Sequence, residues 1–569
     1  MLTRLARLSL LGLASACLAG CGSSSATGHA ADSGPSDANI DVGARDSGAK
    51  DAPIADSTVP VDSGAGDAPA GEDADASPPA DTGAADTGAA PPGDASFPPP
   101  KGTPIATGDL QVWGVTGDGF IVYSDETAAT LYAIPQAGGT PRTIATALGA
   151  GHDPNGVPTH AALVQGDVVL LWTGLVHGAT LTTGSLAVWT SAAASPIVVG
   201  ASSLVGVAQA TADSAHVAYL DDVDPTAGTA TYSEATIATG QTTQLVAGVD
   251  LTNGTCTVTG QPAASTFFVL RHCERPSSDA APEPTYVSAF AVATGQRTDL
   301  LATTTVPHFT VNAAGTQVLA LFDPGLEVFT LGATPPTGVL IDANAASPQV
   351  VDAAGLFTPD GLGAIYLTAS GGLKTSPLHS PAPVLLQSAF ADLFAVSPDG
   401  TRVAGCSVMG CGSGGSTQIL LASATTDAPF EATAFPGDDD SPIAFTTDSS
   451  QLLYEKGAVG LYALSSAAGT IAQLGSGDFA DVMPTGASSA GVAFSTLTGT
   501  VVHGDALADI FWSNAGASAV ATSIASGATF GPGQLTTFFL TAPSSSQSIV
   551  FTWTQEAGPQ SGLYVTPVP

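Results

Sequence analysis

The chain has 569 residues, with 12 Lys plus Arg against 49 Asp plus Glu and a formal net charge of −37. Charged residues are 11% and hydrophobic residues 44%, whereas an ordinary soluble protein is roughly 25% charged. So few cations argue against nucleic acid as a partner, because phosphate binding runs on Lys and Arg, and so much apolar content argues against disorder throughout.

The first segment predicted is a secretory signal over residues 1–20. Arg4 and Arg7 form a positive start, and an apolar run follows from Leu8 to Leu18. The run is too short for a helix that stays in a bilayer. It ends in Leu18, Ala19, Gly20 and Cys21, which resembles the lipobox of bacterial lipoproteins. That resemblance implies cleavage before Cys21 and acylation of its thiol and new amine, so that Cys21 anchors the mature chain in a lipid bilayer. Three acyl chains exceed what stable anchoring needs. Gly22 stands where an inner-membrane retention signal would carry Asp, which favours the outer membrane, facing the periplasm or the cell surface.

Residues 21–100 read as a disordered tether. From Gly22 to Pro100 the chain is mostly Ala, Asp, Gly, Ser, Pro and Thr, and Phe97 is the only Phe, Tyr or Trp. Thirteen Asp and one Glu against Arg45 and Lys50 leave this stretch at −12. Such a segment cannot bury enough apolar area to offset the entropy of ordering it. A calcium-binding repeat is the alternative, but Asp73 and Asp75 form the only Asp-x-Asp pair and no loop glycine follows in register.

Residues 101–569 form one predicted β-rich body. Short β-branched and aromatic runs alternate with Gly, Ser, Asn, Asp and Pro clusters, as in a sandwich, barrel or propeller. Four stretches repeat: Phe309 to Phe322, Leu356 to Leu367, Phe394 to Ala404 and Phe445 to Tyr454. Each is an apolar strand, a turn and a second apolar strand. In two of them the turn is Ser/Thr-Pro-Asp-Gly. Pro359 and Pro398 preset φ, Asp360 and Asp399 can accept nearby amides, and Gly361 and Gly400 suit a left-handed backbone. The copies at 309 and 445 lack the proline.

These units resemble the PD40, or TolB-like and WD40-like, β-propeller repeat. The stretch from Phe394 to Val403, with Arg402, follows that pattern closely. The resemblance implies four-stranded blades in a ring. Ten units of about 46 residues can be placed, but propellers typically close with four to eight blades. The expectation is therefore one ring of seven or eight blades, with two smaller rings as the alternative. An outer-membrane barrel needs strands of about 9–11 residues, longer than the runs seen here.

After the signal and Cys21, the remaining cysteines form two close pairs, Cys256 with Cys273 and Cys406 with Cys411. In an oxidising compartment these read as disulfides; zinc or a redox pair is the alternative, and no His lies near Cys406 or Cys411 in sequence. No Gly-x-Ser-x-Gly elbow, His-Glu-x-x-His or P-loop occurs, so no catalytic residue, metal ligand or cofactor is assigned. Asp438 to Asp440, and Asp221, Asp222 and Asp224, read as solvated loops, with a cation or cationic partner as the sharper possibility. The leading expectation is a monomeric cell-envelope lipoprotein whose noncatalytic propeller binds a protein or glycan. The alternatives are a metal-assisted hydrolase or lyase at the channel mouth, and a structural surface protein.

Overall fold

The computed structural model describes the chain from Thr103 to Pro567, apart from residues 149–157, 276–283, 347–354, 408–418, 424–439, 515–521, 531–538, 541–547, 554–561 and shorter stretches. The signal, Cys21 and the tether lie outside the described residues, as do Cys256, Cys411, Asp438 and Asp439.

All the described regular structure is β, arranged as ten antiparallel sheets. We number the blades in chain order: blade 1 spans 110–146, blade 2 160–204, blade 3 209–250, blade 4 259–303, blade 5 308–342, blade 6 345–387, blade 7 392–423, blade 8 440–476, blade 9 479–530 and blade 10 539–567. Most are up-and-down meanders in which the first strand is innermost and the fourth outermost. Blade 7 shows three strands among the described residues, and the inner edge of blade 6 is split between Ala345–Ala346 and Leu356–Phe357.

The ring closes through the other end of the chain. Thr103–Thr107 is the outermost strand of blade 10 and pairs antiparallel with Gly562–Pro567. Blade 10 then packs on blade 1 through a core that joins Val550 and Leu563 to Leu110, Val112 and Tyr123. Further cores fill the interfaces between successive blades up to blades 8 and 9. Beyond these, Thr522–Phe530 of blade 9 lies beside Ser548–Trp553 of blade 10.

The expected seven or eight blades are therefore corrected to ten. Each unit of about 46 residues has its own sheet, and buried cores join successive blades from blade 10 through blade 1 to blade 9, so none is an insertion in a larger blade. The same geometry accounts for the composition. A blade is covered on both sides, so its middle strands are apolar runs without alternation. Phe120–Asp125 is buried at four consecutive positions and Gly363–Thr368 at all six.

Recurrent cross-strand pairs fill the blade centres. Tyr123 stacks on Tyr132, Tyr454 on Tyr462, Phe494 on Phe511 and Phe551 on Tyr564. In each pair the residues face each other across the second and third strands, where ring contact adds about 0.5–1.5 kcal/mol to simple burial.

Candidate functional site

The turn between the first and second strands is the most regular element of the ring. In blade 7 the Ser397 hydroxyl donates to Asp399 Oδ1 (2.6 Å) and accepts the Arg402 amide (2.9 Å). Asp399 Oδ1 also accepts the Thr401 amide (3.0 Å), and the Gly400 amide donates to the Ser397 carbonyl (2.9 Å). In blade 6 Thr358, Asp360 and Gly361 build the same lock: Thr358 Oγ1 donates to Asp360 (2.5 Å) and accepts the Gly363 amide (2.8 Å). Gly361 and Gly400 take φ of 71° and 75°, a region in which a side chain is strained.

The lock does not require proline. In blade 8 Thr446 donates to Asp448 (2.7 Å) and accepts the Gln451 amide (3.0 Å), with Ser449 at φ 65°. In blade 3 Thr211 and Asp213 do the same, with Ser214 at φ 58°. Blade 1 uses Thr116, Asp118 and Gly119. In blade 5 the Asn312 side-chain Oδ1 replaces the pair, accepting the Thr316 and Gln317 amides (2.8 and 3.1 Å). The working pattern is thus Ser/Thr-x-Asp followed by a residue that tolerates positive φ. Its extra copies at Thr116 and Thr211 were visible in sequence once the proline was set aside.

Neighbouring turns touch, so they form a continuous belt over these blades. The Gly117 amide donates to the Gly166 carbonyl (2.9 Å), and the Asp399 amide donates to Ser449 Oγ (3.0 Å). A Cβ on Gly400 would come within 2.9 Å of Pro359 Cδ. The two predicted turns, Pro359 to Gly361 and Pro398 to Gly400, therefore touch at the boundary of blades 6 and 7 through Pro359 and Gly400. The carboxylates are committed to the turns. Hydrogen bonds from Thr358 and the Leu362 amide hold Asp360 below the usual carboxylate range. Burial would raise Asp399, Asp448 and Asp213, but their hydroxyl and amide donors outweigh it and hold all three low.

A second set of bonds closes the inner edge. An innermost strand has no strand partner on its channel side, and its backbone groups need acceptors and donors. Glutamines supply them across the blade boundary. Gln165 Nε2 donates to the Ala208 carbonyl (3.3 Å) while its Oε1 accepts the Ala210 amide (2.7 Å). Gln209 Nε2 donates to the Gly260 carbonyl, and Gln261 Oε1 accepts the Val311 amide (3.2 Å). Thr310 Oγ1 continues the series to the Gly355 carbonyl (2.9 Å). These residues were not singled out in sequence, because a lone Gln in a strand has no motif.

Among the described residues, a group of four titratable side chains, His272, Glu274, Arg297 and Asp299, lies on blade 4. His272 is buried and stacks on Tyr286, and its Nε2 lies 3.2 Å from Glu274 Oε1. Arg297 bonds Glu274 through Nη1 and donates from Nε to Asp299 (2.5 Å), with its guanidinium 5.0 Å over the Tyr286 ring. Ser288 donates to Asp299 (2.7 Å). Burial, then the Arg297 charge, lower the His272 pKa, so it is a neutral spacer at pH 7. The group ties the second and fourth strands of one blade together. Among the described residues no three or more His, Cys, Asp or Glu are grouped so as to hold a metal ion.

Other predicted positions also have structural partners. Asp221 is no solvated loop: its Oδ1 accepts the Ser202 amide and the Ser203 hydroxyl of blade 2, both at 3.0 Å. Asp224 accepts the Thr226 and Ala227 amides (2.8 and 2.9 Å), and Asp440 opens the first strand of blade 8. Cys273 and Cys406 are buried, each the last residue of its blade's second strand.

Ten antiparallel sheets, eight of them four-stranded among the described residues, in a ring closed by a strand from the opposite chain end define a β-propeller. No family model and no curated protein matches the chain. Among solved structures it is similar to a dipeptidyl peptidase 4 of Porphyromonas gingivalis, with a TM-score of 0.41 and 12% identity over 80% of this chain and 65% of that one. It is also similar to a eukaryotic initiation factor, with a TM-score of 0.40 and 14% identity over 76% and 91% of the two chains. The β-propeller domain of Cps50 (Swd1) from Myceliophteria thermophila gives 0.29 and 10% identity over 50% and 92%. At these values the likeness is one of fold alone.

Proposed function

We propose that the protein is a cell-envelope lipoprotein, held at the outer membrane by acylated Cys21, whose propeller binds a protein or glycan partner without catalysis. The acidic stretch of residues 22–100 serves as its tether, and the PD40-like, TolB-like repeat is its family signature. The noncatalytic reading is carried by one observation: the acidic side chains of the repeat turns are each engaged by hydroxyl and amide donors of their own turn. A propeller is a common scaffold for recognition, and fold by itself does not name a ligand.

The anchor is tested by replacing Cys21. The Cys21→Ala protein is expected to lose labelled palmitate and to leave the membrane fraction. Retention in that fraction without lipid label would defeat the anchor. A panel of lactones and phosphate esters, assayed with manganese or calcium present, addresses the rival hydrolase reading, and turnover by the purified chain would replace the binding role.

Cys256 with Cys273 and Cys406 with Cys411 are assigned as disulfides of this exported chain. The equivalent placement of Cys273 and Cys406 at the ends of second strands supports two local staples. Peptide mapping without reduction is expected to recover both links, and free thiols at all four positions would refute them.

A further inference from the structure

We propose that the outer edges of blades 5 and 6 receive an extended basic and apolar peptide segment of a partner protein as an added strand. An outermost strand offers a row of backbone donors and acceptors, and proteins usually guard it with Lys, Pro or other charges. Here two consecutive blades do the reverse. Gly338–Asp342 exposes Val339 and Leu340 at 41% and 50%, and Val384–Gln387 exposes Val384 and Leu385 at 45% and 51%. Among the described residues no other outermost strand exposes two large hydrophobic side chains; Ile197–Leu204 has Val198 alone.

Charge indicates what kind of segment fits. Glu327 stands opposite Leu340 in the register. It is half-buried, and no hydrogen bond or ion pair to its carboxylate is found among the described residues; burial raises its pKa. A Cβ at Gly338 would overlap Glu327 Oε2, so this glycine gives the carboxylate its room along the open edge. The nearby cation Lys374 is already taken by Asp342 at 2.8 Å. A segment that alternates Lys or Arg with Val or Leu would pair its backbone with one such edge and lay its apolar side chains on the exposed pair there, Val339 and Leu340 on blade 5 or Val384 and Leu385 on blade 6; on blade 5 it would also bring a cation to Glu327. Strand addition of this kind takes affinity from main-chain bonds and specificity from alternate side chains, and the acid-rich ring steers a basic segment toward it.

The assignment rests on the partner-binding role proposed above. Its test uses the full-length protein and a fluorescent ten-residue peptide of alternating Val and Lys, read by anisotropy. Saturable binding is expected. It should weaken at least tenfold when alternate peptide amides are N-methylated, when Glu replaces Lys in the peptide, or in the protein carrying Leu340→Lys and Leu385→Lys. Glu327→Gln should weaken it severalfold and flatten its salt dependence, and Val198→Lys on blade 2 should leave it unchanged. All these protein positions are at least partly exposed, and circular dichroism checks that each variant folds. Absence of binding, or binding indifferent to the paired leucine replacements, overturns the proposal. So does dimerisation of the parent chain that the paired replacements abolish, which would give the edges to a second copy. If the paired variant still crosslinks to its envelope partners as the parent does, the edge assignment fails while partner binding stands.

Discussion

A chain that begins at Gly108 is expected to be less stable than the parent by about 3–6 kcal/mol, whereas one that begins at Thr103 should match it. The difference is the five-residue strand Thr103–Thr107, which closes the last blade. Ile105 and Ala106 pack against the core shared by blades 10 and 1. Removing them withdraws that cover and leaves Leu563 and Tyr564, now buried, on an open edge. Each fully buried aliphatic or aromatic side chain contributes about 1.5–3 kcal/mol, and roughly two such side chains are affected. Urea unfolding of the two truncated chains measures the effect. Coincident midpoints would mean that the ring does not depend on its closing strand. A milder version is Gly562→Val, because a Cβ at 562 would overlap the Ala106 carbonyl oxygen and push the strand away.

The second large effect is expected at Asp342, at the end of the outer strand of blade 5. Its Oδ2 accepts the Tyr366 hydroxyl (3.0 Å) and the Lys374 ammonium (2.8 Å) of blade 6, and its Oδ1 accepts the Asn344 amide (2.9 Å). The carboxylate and Tyr366 are buried while Lys374 is partly in water. Asp342→Ala strands a buried hydroxyl and leaves the ammonium to solvent. The expected loss is about 2–4 kcal/mol, at the lower end because Lys374 can rehydrate. Asp342→Asn keeps the shape and one acceptor, and should cost about half as much.

Burial would raise the Asp342 pKa, but the Lys374, Asn344 and Tyr366 donors outweigh it and hold the carboxyl below its ordinary value of 3.8. The unfolded chain therefore takes up this proton first as pH falls. The stabilisation is complete well above 3.8 and is lost below it. Asp342→Asn should flatten part of the acid limb of the stability profile and leave the neutral plateau lower but level. An unaltered acid limb would show that Asp342 is not a linked group. Asp360, Asp399 and Asp448 are held low by their own donors and account for a share of the same limb.

The repeat spacing was legible because the turn is local. Thr358 to Gly363 and Ser397 to Arg402 carry their own hydroxyl, carboxylate and positive-φ glycine within six residues. The copy at Thr446 lacks the proline, yet Ser449 takes the left-handed backbone and the hydrogen bonds are the same. Blade number was not legible from a typical range for the fold, because closure is set by how each blade wedges against the next. The locks between blades were equally hidden. Asp342 meets Tyr366 and Lys374 across an interface, and Asp221 meets Ser203 on the blade before it. Nothing in the spacing of such pairs announces them. Val339, Leu340, Val384 and Leu385 read in sequence as ordinary strand hydrophobics, and only their place on an outer edge distinguishes them.

The closing strand also bears on how this architecture can be rewired. Thr103 lies opposite Val565, so the entry and exit of the ring are a few residues apart on one blade. The two ends could be spliced by a short linker and the chain reopened between other blades, for example between Leu204 and Gln209. Such a circular permutant would keep every sheet pairing described above. It would also move the first strand of the chain to a different blade, so the point of the ring from which anything joined to that end projects can be changed without altering the sheets.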